Sequence, residues 1–99
     1  MDIKEIIAKN VAIIRFHLPG SEWNIFLFGS QVEGTAEERS DIDLAIDGPH
    51  SIPLTTLHQI RGSIDALPTL RSVDIVDLAQ KDEEFRLRIR TKGKSLSLV

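Results

Sequence analysis

Residues 29–44, GSQVEGTAEERSDIDL, combine a small-residue turn with a pair of acidic residues. The stretch begins with Gly29 and Ser30, which directly follow the apolar run NIFLF, and ten residues separate Ser30 from Asp41, with Asp43 two positions later. A small-residue turn therefore stands at a fixed distance from two carboxylates that repel each other. The surrounding sequence must bring these two features together and offset the repulsion.

The segment DIDLAID, residues 41–47, alternates strictly between polar or small and apolar side chains. This alternation predicts a strand with one covered face and one open face. Asp41 and Asp43 then project side by side, and at ~6 Å and an effective dielectric near ~20 their charges repel by about 3 kcal/mol. Mg²⁺ would offset this repulsion, since it binds one or two carboxylates together with water and phosphate oxygens. Two solvated aspartates are the alternative, because this motif alone is weak.

Helices and strands alternate along the rest of the chain. Apolar residues at helical spacing predict a first helix over residues 2–18 and a second over 53–67, with Ser51 as its candidate cap. Short apolar runs predict strands over residues 24–28 and 73–78.

The C-terminal segment FRLRIR, residues 85–90, fits two elements. Its alternation is that of a strand. Three acidic residues precede it and basic residues lie toward Gly93, which is the charge distribution that stabilises a helix dipole. The charge distribution favours a helix.

Asp74 strengthens the metal interpretation of the aspartate pair. It lies between Val73 and Ile75 near the start of the third predicted strand, where a charged residue needs an explanation. A third carboxylate beside Asp41 and Asp43 would allow two metal ions, which clamp the attacking and leaving oxygens of a phosphoryl displacement.

Gly29 and Ser30 have the residue types of a phosphate-binding turn. Glycine lets the backbone approach a ligand closely, and serine at the start of a helical turn offers a hydroxyl and a free N–H to phosphate. An ordinary strand-to-helix turn is the alternative, because the dipeptide by itself is not specific.

The turn and the carboxylates meet in only one arrangement of strands. Gly29 closes the first strand and Asp41 opens the second, so these two strands must run antiparallel. Asp74 lies near the start of its strand, which must therefore run parallel to the second, and the helix over 53–67 supplies the crossover. The predicted fold is α/β (α+β), a small mixed β-sheet with helices on the face opposite the carboxylates. Asp77 points away from Asp74 and is expected to end its strand or cap the next element.

Composition narrows the class of protein. The 99 residues predict a single domain over 1–99. The sequence has no cysteine, no apolar run of membrane-spanning length and no signal-like N-terminus, which together favour the cytoplasm and no membrane partner. A net charge of −3 argues against direct nucleic-acid binding.

The segments GSQVEGTAEERSDIDLAI and SVDIVDL resemble the signature of the DNA polymerase beta-like nucleotidyltransferase superfamily. They are most similar to its minimal, MNT-type members. The resemblance covers essentially the whole chain, in the order helix, strand with Gly-Ser, strand with Asp-X-Asp, helix, strand with Asp, helix. It implies the polymerase beta-like nucleotidyltransferase fold.

The resemblance also implies an enzyme with named site residues. Asp41 and Asp43 would bind two Mg²⁺ ions, and Asp74 would bind one of them and help activate the attacking hydroxyl. Gly29 and Ser30 would hold the triphosphate. The reaction would transfer a nucleoside monophosphate, AMP from ATP, onto a hydroxyl with release of pyrophosphate, and such displacements depend on positioning and charge neutralisation.

Two departures from the family pattern bear on function. Many relatives carry basic residues soon after Gly-Ser, where this chain has Gln31 and Glu33, and Arg39 is the candidate to compensate. The 99 residues are expected to contain only this domain, without the added acceptor-binding domain of larger members. Minimal members typically act with a helical HEPN-family protein, a toxin that they neutralise as antitoxins, some by attaching AMP to it. This function is therefore the expectation.

Two other functions remain open from the sequence. The chain could be a non-catalytic binding module that neutralises its partner by contact alone. It could also be a small-molecule nucleotidyltransferase that works with a separate acceptor-binding subunit.

Overall fold

The computed structural model of the chain describes residues 2–29 and 41–96. Over these residues the chain forms three α-helices, one 3₁₀ turn and four β-strands. In chain order they are α1 (Ile3–His17), β1 (Asn24–Phe28), β2 (Ile42–Asp47), α2 (Leu54–Asp65), β3 (Val73–Asp77), the 3₁₀ turn (Leu78–Gln80), α3 (Glu83–Lys92) and β4 (Lys94–Ser95). The predicted helices and strands are confirmed, the C-terminal segment is a helix, and the short strand β4 was not predicted.

The sheet has the strand order β3–β2–β1–β4. β1 and β2 are antiparallel, with Phe28 opposite Asp43, and β2 and β3 are parallel, with Asp43 opposite Asp74. β4 pairs antiparallel with β1. The predicted mixed sheet is confirmed, and α2 makes the crossover that the parallel pair requires.

The main core lies on one face of the sheet. Ile42, Leu44 and Ile46 of β2 are completely buried there, in one cluster with Ile6 and Ile14 of α1 and with apolar residues of α2. These side chains come from every second residue of β2, as the alternation predicted. The residues between them project from the opposite face.

The N-termini of α1 and α2 are capped differently. The Asp2 carboxylate accepts a hydrogen bond from the Glu5 N–H at 2.8 Å and so caps α1. The prediction that Ser51 caps α2 is wrong, because Pro53 occupies the cap position and no side chain caps this helix. Among the described residues, no helix is long and apolar enough to cross a membrane.

α3 lies on the carboxylate-bearing face of the sheet, whereas the sequence predicted helices on the other face only. Ile89 of α3 is buried in a second cluster with Ala45 and Leu78, and half-buried Phe85 packs against it. The apolar stripe of α3 is narrow, because most of its other side chains are charged. Phe85 and Ile89 nevertheless share one side of this helix, because they are four residues apart.

Asp77 is buried and joins three segments near the end of β3. Its carboxylate accepts hydrogen bonds from the N–H of Ile52 at 2.9 Å and from the N–H of Ala79 at 3.1 Å. The second bond caps the 3₁₀ turn, which confirms the predicted structural role of Asp77. The first bond fixes the loop that leads into α2.

Candidate active site

The predicted carboxylates lie at the end of the sheet where β2 and β3 begin. Asp43 and Asp74 are paired residues of parallel neighbouring strands, so their side chains leave the same face side by side. Asp43 is half-buried and Asp74 is exposed. Asp41, also exposed, directly precedes β2. The topology thus brings together carboxylates that are far apart in the sequence.

The electrostatics of Asp43 reflect the charges of the other two aspartates. The pKa of Asp43 is raised above its ordinary value of 3.8, first by burial, then by the negative charge of Asp74 and then by that of Asp41. Coulomb repulsion falls with distance, so both neighbours lie near enough to act on it. The metal-free carboxylate of Asp43 therefore carries its charge at an energetic cost that a bound cation would reduce.

Gly29 lies directly against the Asp43 carboxylate. It is the first residue after β1, and its φ of +77° falls in the left-handed region that favours glycine. A Cβ at this position would overlap Oδ2 of Asp43, closer than real Cβ atoms approach. Glycine therefore leaves space that this carboxylate occupies. Ser30, the second residue of the predicted phosphate turn, lies outside the described residues.

The donor chemistry of the site fits Mg²⁺. The ion is usually bound through one or two carboxylates and completes its shell with water and substrate phosphates, and Asp43 and Asp74 supply two neighbouring carboxylates. Within residues 2–29 and 41–96, no group of three or more histidine, cysteine, aspartate or glutamate side chains could hold a metal ion as placed. The ligand set Asp41, Asp43 and Asp74 with two ions therefore stays a prediction.

An aromatic pair beside the carboxylates was not singled out from the sequence. Phe28 is the β1 partner of Asp43, and its ring meets the ring of Phe85 edge-on, with centroids 6.0 Å apart. Two cations lie over the Phe85 ring: the Arg88 Cζ is 5.1 Å and the Lys81 Nζ 5.7 Å from its centroid. We call Phe28, Phe85, Arg88 and Lys81 the aromatic–cation cluster. The sequence spacing within α3 does not show that this side borders Phe28 and Asp43.

An ion pair connects α3 to the far end of β2. Nε and Nη2 of Arg90 donate to the two carboxylate oxygens of Asp47 at 2.8 and 2.9 Å. This bidentate ion pair holds the C-terminal half of α3 over the sheet, at the opposite end of β2 from Asp43.

The sequence is similar to those of known proteins along nearly its whole length. It matches the family described as Polymerase beta, Nucleotidyltransferase over residues 1–97. The chain belongs to this nucleotidyltransferase family. Among curated proteins, this nucleotidyltransferase is similar to the probable protein adenylyltransferase MntA of Haemophilus influenzae. The two are 31% identical over 92 residues, which cover 91% of this chain and 78% of the relative.

Solved toxin–antitoxin structures share the fold of this nucleotidyltransferase. A chain of a toxin–antitoxin complex with AMP-PNP gives a TM-score of 0.69 at 28% identity, covering 96% of this chain and 73% of that chain. A chain of the complex between the tri-AMPylated Shewanella oneidensis HEPN toxin and its MNT antitoxin gives 0.66 at 24% identity, covering 94% and 70%. The predicted family, fold and enzyme class are thereby confirmed.

The repulsion around Asp43 predicts a pH-dependent gain in stability from Asp43→Asn. The folded state raises the pKa of Asp43, so it binds this proton more tightly than the unfolded chain does. The ionised carboxylate therefore destabilises the metal-free fold above the folded pKa, and this penalty disappears as the pH falls toward 3.8. We expect the asparagine variant to be the more stable protein at neutral pH, with the difference shrinking on acidification.

Unfolding free energies measured with urea in chelator-treated buffer, from neutral pH to about pH 4, test this expectation. Adding Mg²⁺ at neutral pH should raise the thermal midpoint of the wild type and should raise that of the variant less, since a ligand that binds only the folded state stabilises it. A stability difference that is constant with pH, or that grows on acidification, would contradict the assignment.

Proposed function

We propose that this nucleotidyltransferase is a Mg²⁺-dependent enzyme that transfers AMP from ATP onto a hydroxyl group of a partner protein. We further propose that the partner is a HEPN-family toxin in the cytoplasm, for which this chain is the antitoxin. The similarity to the probable protein adenylyltransferase MntA supports the choice of AMP and of a protein acceptor. The similarity to a toxin–antitoxin complex with AMP-PNP supports the nucleotide and the biological role.

The proximity of three carboxylates to a glycine turn carries the chemical part of the proposal. Asp43 and Asp74 are paired across parallel strands, Asp41 is close enough to raise the pKa of Asp43, and Gly29 contacts the Asp43 carboxylate. Neighbouring carboxylates that repel each other beside a backbone turn destabilise the fold, but they suit cation-assisted phosphoryl transfer.

In the proposed reaction, the acceptor hydroxyl oxygen attacks the α-phosphorus of ATP. The bond from this phosphorus to the oxygen that bridges to the β-phosphate breaks, and pyrophosphate leaves with the electron pair. Asp74, exposed at the start of β3, receives the proton of the attacking hydroxyl on its carboxylate. Gly29 and Ser30 hold the triphosphate.

The metal ions would be held by Asp41, Asp43 and Asp74. When bound, Mg²⁺ supplies positive charge that offsets the charge of the triphosphate and of the leaving pyrophosphate. The carboxylates in turn fix where the α-phosphorus lies relative to the acceptor, and positioning of this kind accounts for much of the rate of phosphoryl transfer.

The proposed function is tested by mixing the purified chain with the HEPN-family protein of the same genome, ATP and Mg²⁺. Intact mass spectrometry of the HEPN protein should show added AMP groups, and peptide fragmentation should place them on hydroxyl side chains. No adduct should form without Mg²⁺. Failure to form one under any nucleotide and divalent ion would overturn the catalytic proposal.

The same mixture separates the two other functions. A contact-only antitoxin would bind and inhibit the toxin equally well after Asp41→Asn combined with Asp43→Asn, and would leave its mass unchanged. A small-molecule nucleotidyltransferase would release pyrophosphate only when a hydroxyl compound is supplied, again without a modified protein.

A further inference from the structure

Arg88 in the aromatic–cation cluster is held by a ring rather than by a polar partner. Its guanidinium lies over Phe85, and in the described part of the chain it forms no ion pair or hydrogen bond. Its neighbours on α3 differ in this respect. Arg90 is paired with Asp47, and Arg86 donates to the Lys81 carbonyl. Arg88 is thus a positioned cation whose hydrogen-bond donors are not used by the described residues.

Such a placement suits phosphate recognition. A guanidinium that lies over an aromatic ring is attracted through its face, while its five N–H donors point outward from its rim. These donors match two phosphate oxygens at once, which is why arginine is favoured where phosphate is recognised with defined geometry. The contact with Phe85 also restricts the side chain before any ligand arrives, so less conformational entropy is lost on binding.

The cluster borders the carboxylates. Phe85 contacts Phe28 at 6.0 Å between ring centroids, and Phe28 is the strand partner of Asp43. Arg88 is therefore connected to the strand position beside Asp43 through two ring contacts, Phe85 and Phe28.

Two acidic side chains near Arg88 do not neutralise it. Asp82 and Glu84 line a surface cavity of about 160 Å³ together with Phe85 and Arg88. The Asp82 carboxylate is engaged as the cap of α3, where it accepts a hydrogen bond from the Phe85 N–H at 2.8 Å. Within the described residues, neither acid forms an ion pair with Arg88.

A nucleoside triphosphate arriving beside three aspartates adds further negative charge to the site. The residues that directly follow Gly29 and Ser30 include Gln31 and Glu33, so this stretch begins without a cation. We propose that Arg88, held over Phe85, binds the phosphate chain of the nucleotide. The inference rests on the proposed function and adds a phosphate-binding residue outside the Gly-Ser turn and the carboxylates.

Nucleotide binding without the acceptor protein tests this assignment. Titration calorimetry with AMP-PNP and Mg²⁺ should show Arg88→Ala binding about 10- to 100-fold more weakly than wild type, which is the effect of losing one charge-assisted hydrogen-bonded contact. Arg88→Lys should recover part of the loss, and adenosine should bind all proteins alike. Lys92→Ala removes a charge from the same helix at an exposed position and should bind AMP-PNP as the wild type does.

Each result has a distinct meaning, provided that thermal midpoints show the variants to be folded. If the wild type binds AMP-PNP but Arg88→Ala binds it equally well, the inference is overturned while the proposed function stands. Equal nucleotide binding combined with lower transfer to the partner would overturn it as well, since Arg88 would then contact the acceptor. If the wild type binds no nucleotide under any condition, both the inference and the proposed function fail.

Discussion

Asp43→Asn is expected to lower the rate of the proposed AMP transfer by about 10³-fold. Asp43 lies between Phe28 and Asp74 in the sheet. Burial and the negative charges of Asp74 and Asp41 all raise the pKa of its carboxyl group. Asparagine keeps the size of the side chain but removes the charge that would hold Mg²⁺ against the triphosphate, and losing one such electrostatic contact typically costs about 10²- to 10³-fold. Single-turnover transfer, followed by the mass of the acceptor protein, measures the loss.

Asp47→Asn is the matched control for this substitution. Asp47 is on the same strand and the same face, but its carboxylate is engaged by Arg90 at the far end of β2. Losing this half-exposed ion pair should cost no more than about 1 kcal/mol of stability and should leave transfer near the wild-type rate. If the two variants were equally impaired, the chemistry would not depend on Asp43 in particular.

Gly29→Ala is expected to lower the transfer rate by about 10²-fold and to cost about 1–2 kcal/mol of stability. The stability loss comes from placing a side chain at a φ of +77°. The rate loss comes from the new Cβ, which would overlap Oδ2 of Asp43 and displace that carboxylate, and a misplacement of about 1 Å in an active site can cost about 10²-fold. Transfer rates and urea unfolding of the same preparations separate the two effects.

Two other glycines supply the controls. Gly20→Ala also places alanine at a positive φ, +132°, but the atoms nearest to its Cβ would be those of the exposed Glu22 side chain, in the turn between α1 and β1. This variant should lose stability and keep its transfer rate. Gly62→Ala lies within α2 with no atom within 4 Å of the added Cβ, so it should gain up to about 1 kcal/mol. If the Gly29→Ala protein were destabilised but fully active, Gly29 would be required only for the backbone conformation and not for the position of the Asp43 carboxylate.

Much of the fold could be predicted from local patterns. The alternation in β2 determines which side chains are buried, and Asp2 and Asp82 cap α1 and α3 as sequence rules favour. The parallel pairing of β2 with β3 followed from the helical segment between them. The position of α3 could not be predicted, because its two apolar residues in the core do not specify which face of the sheet they contact. β4 is too short to carry a periodic signal.

The site was predictable to the extent that its residues lie at strand ends. Asp41, Asp43 and Asp74 were linked by the requirement that their strands begin at the same edge. Phe28 and Arg88 were not linked to them, because the contact that joins them runs through Phe85, a residue from another part of the chain. Interactions of this kind depend on tertiary packing and leave no spacing in the sequence.

Successive residues of β2 point in turn to the main apolar core and to the opposite face, which carries Asp43. Insertion or deletion of one residue inside this strand would exchange the two sets, so that Asp43 would enter the apolar interior and Leu44, now completely buried, would turn toward solvent. Evolution can therefore replace single side chains on either face of β2 one at a time, whereas a change in the number of its residues would damage the core and the catalytic centre together. Descendants of this chain that remain functional should accordingly differ in the composition of β2 and never in its length.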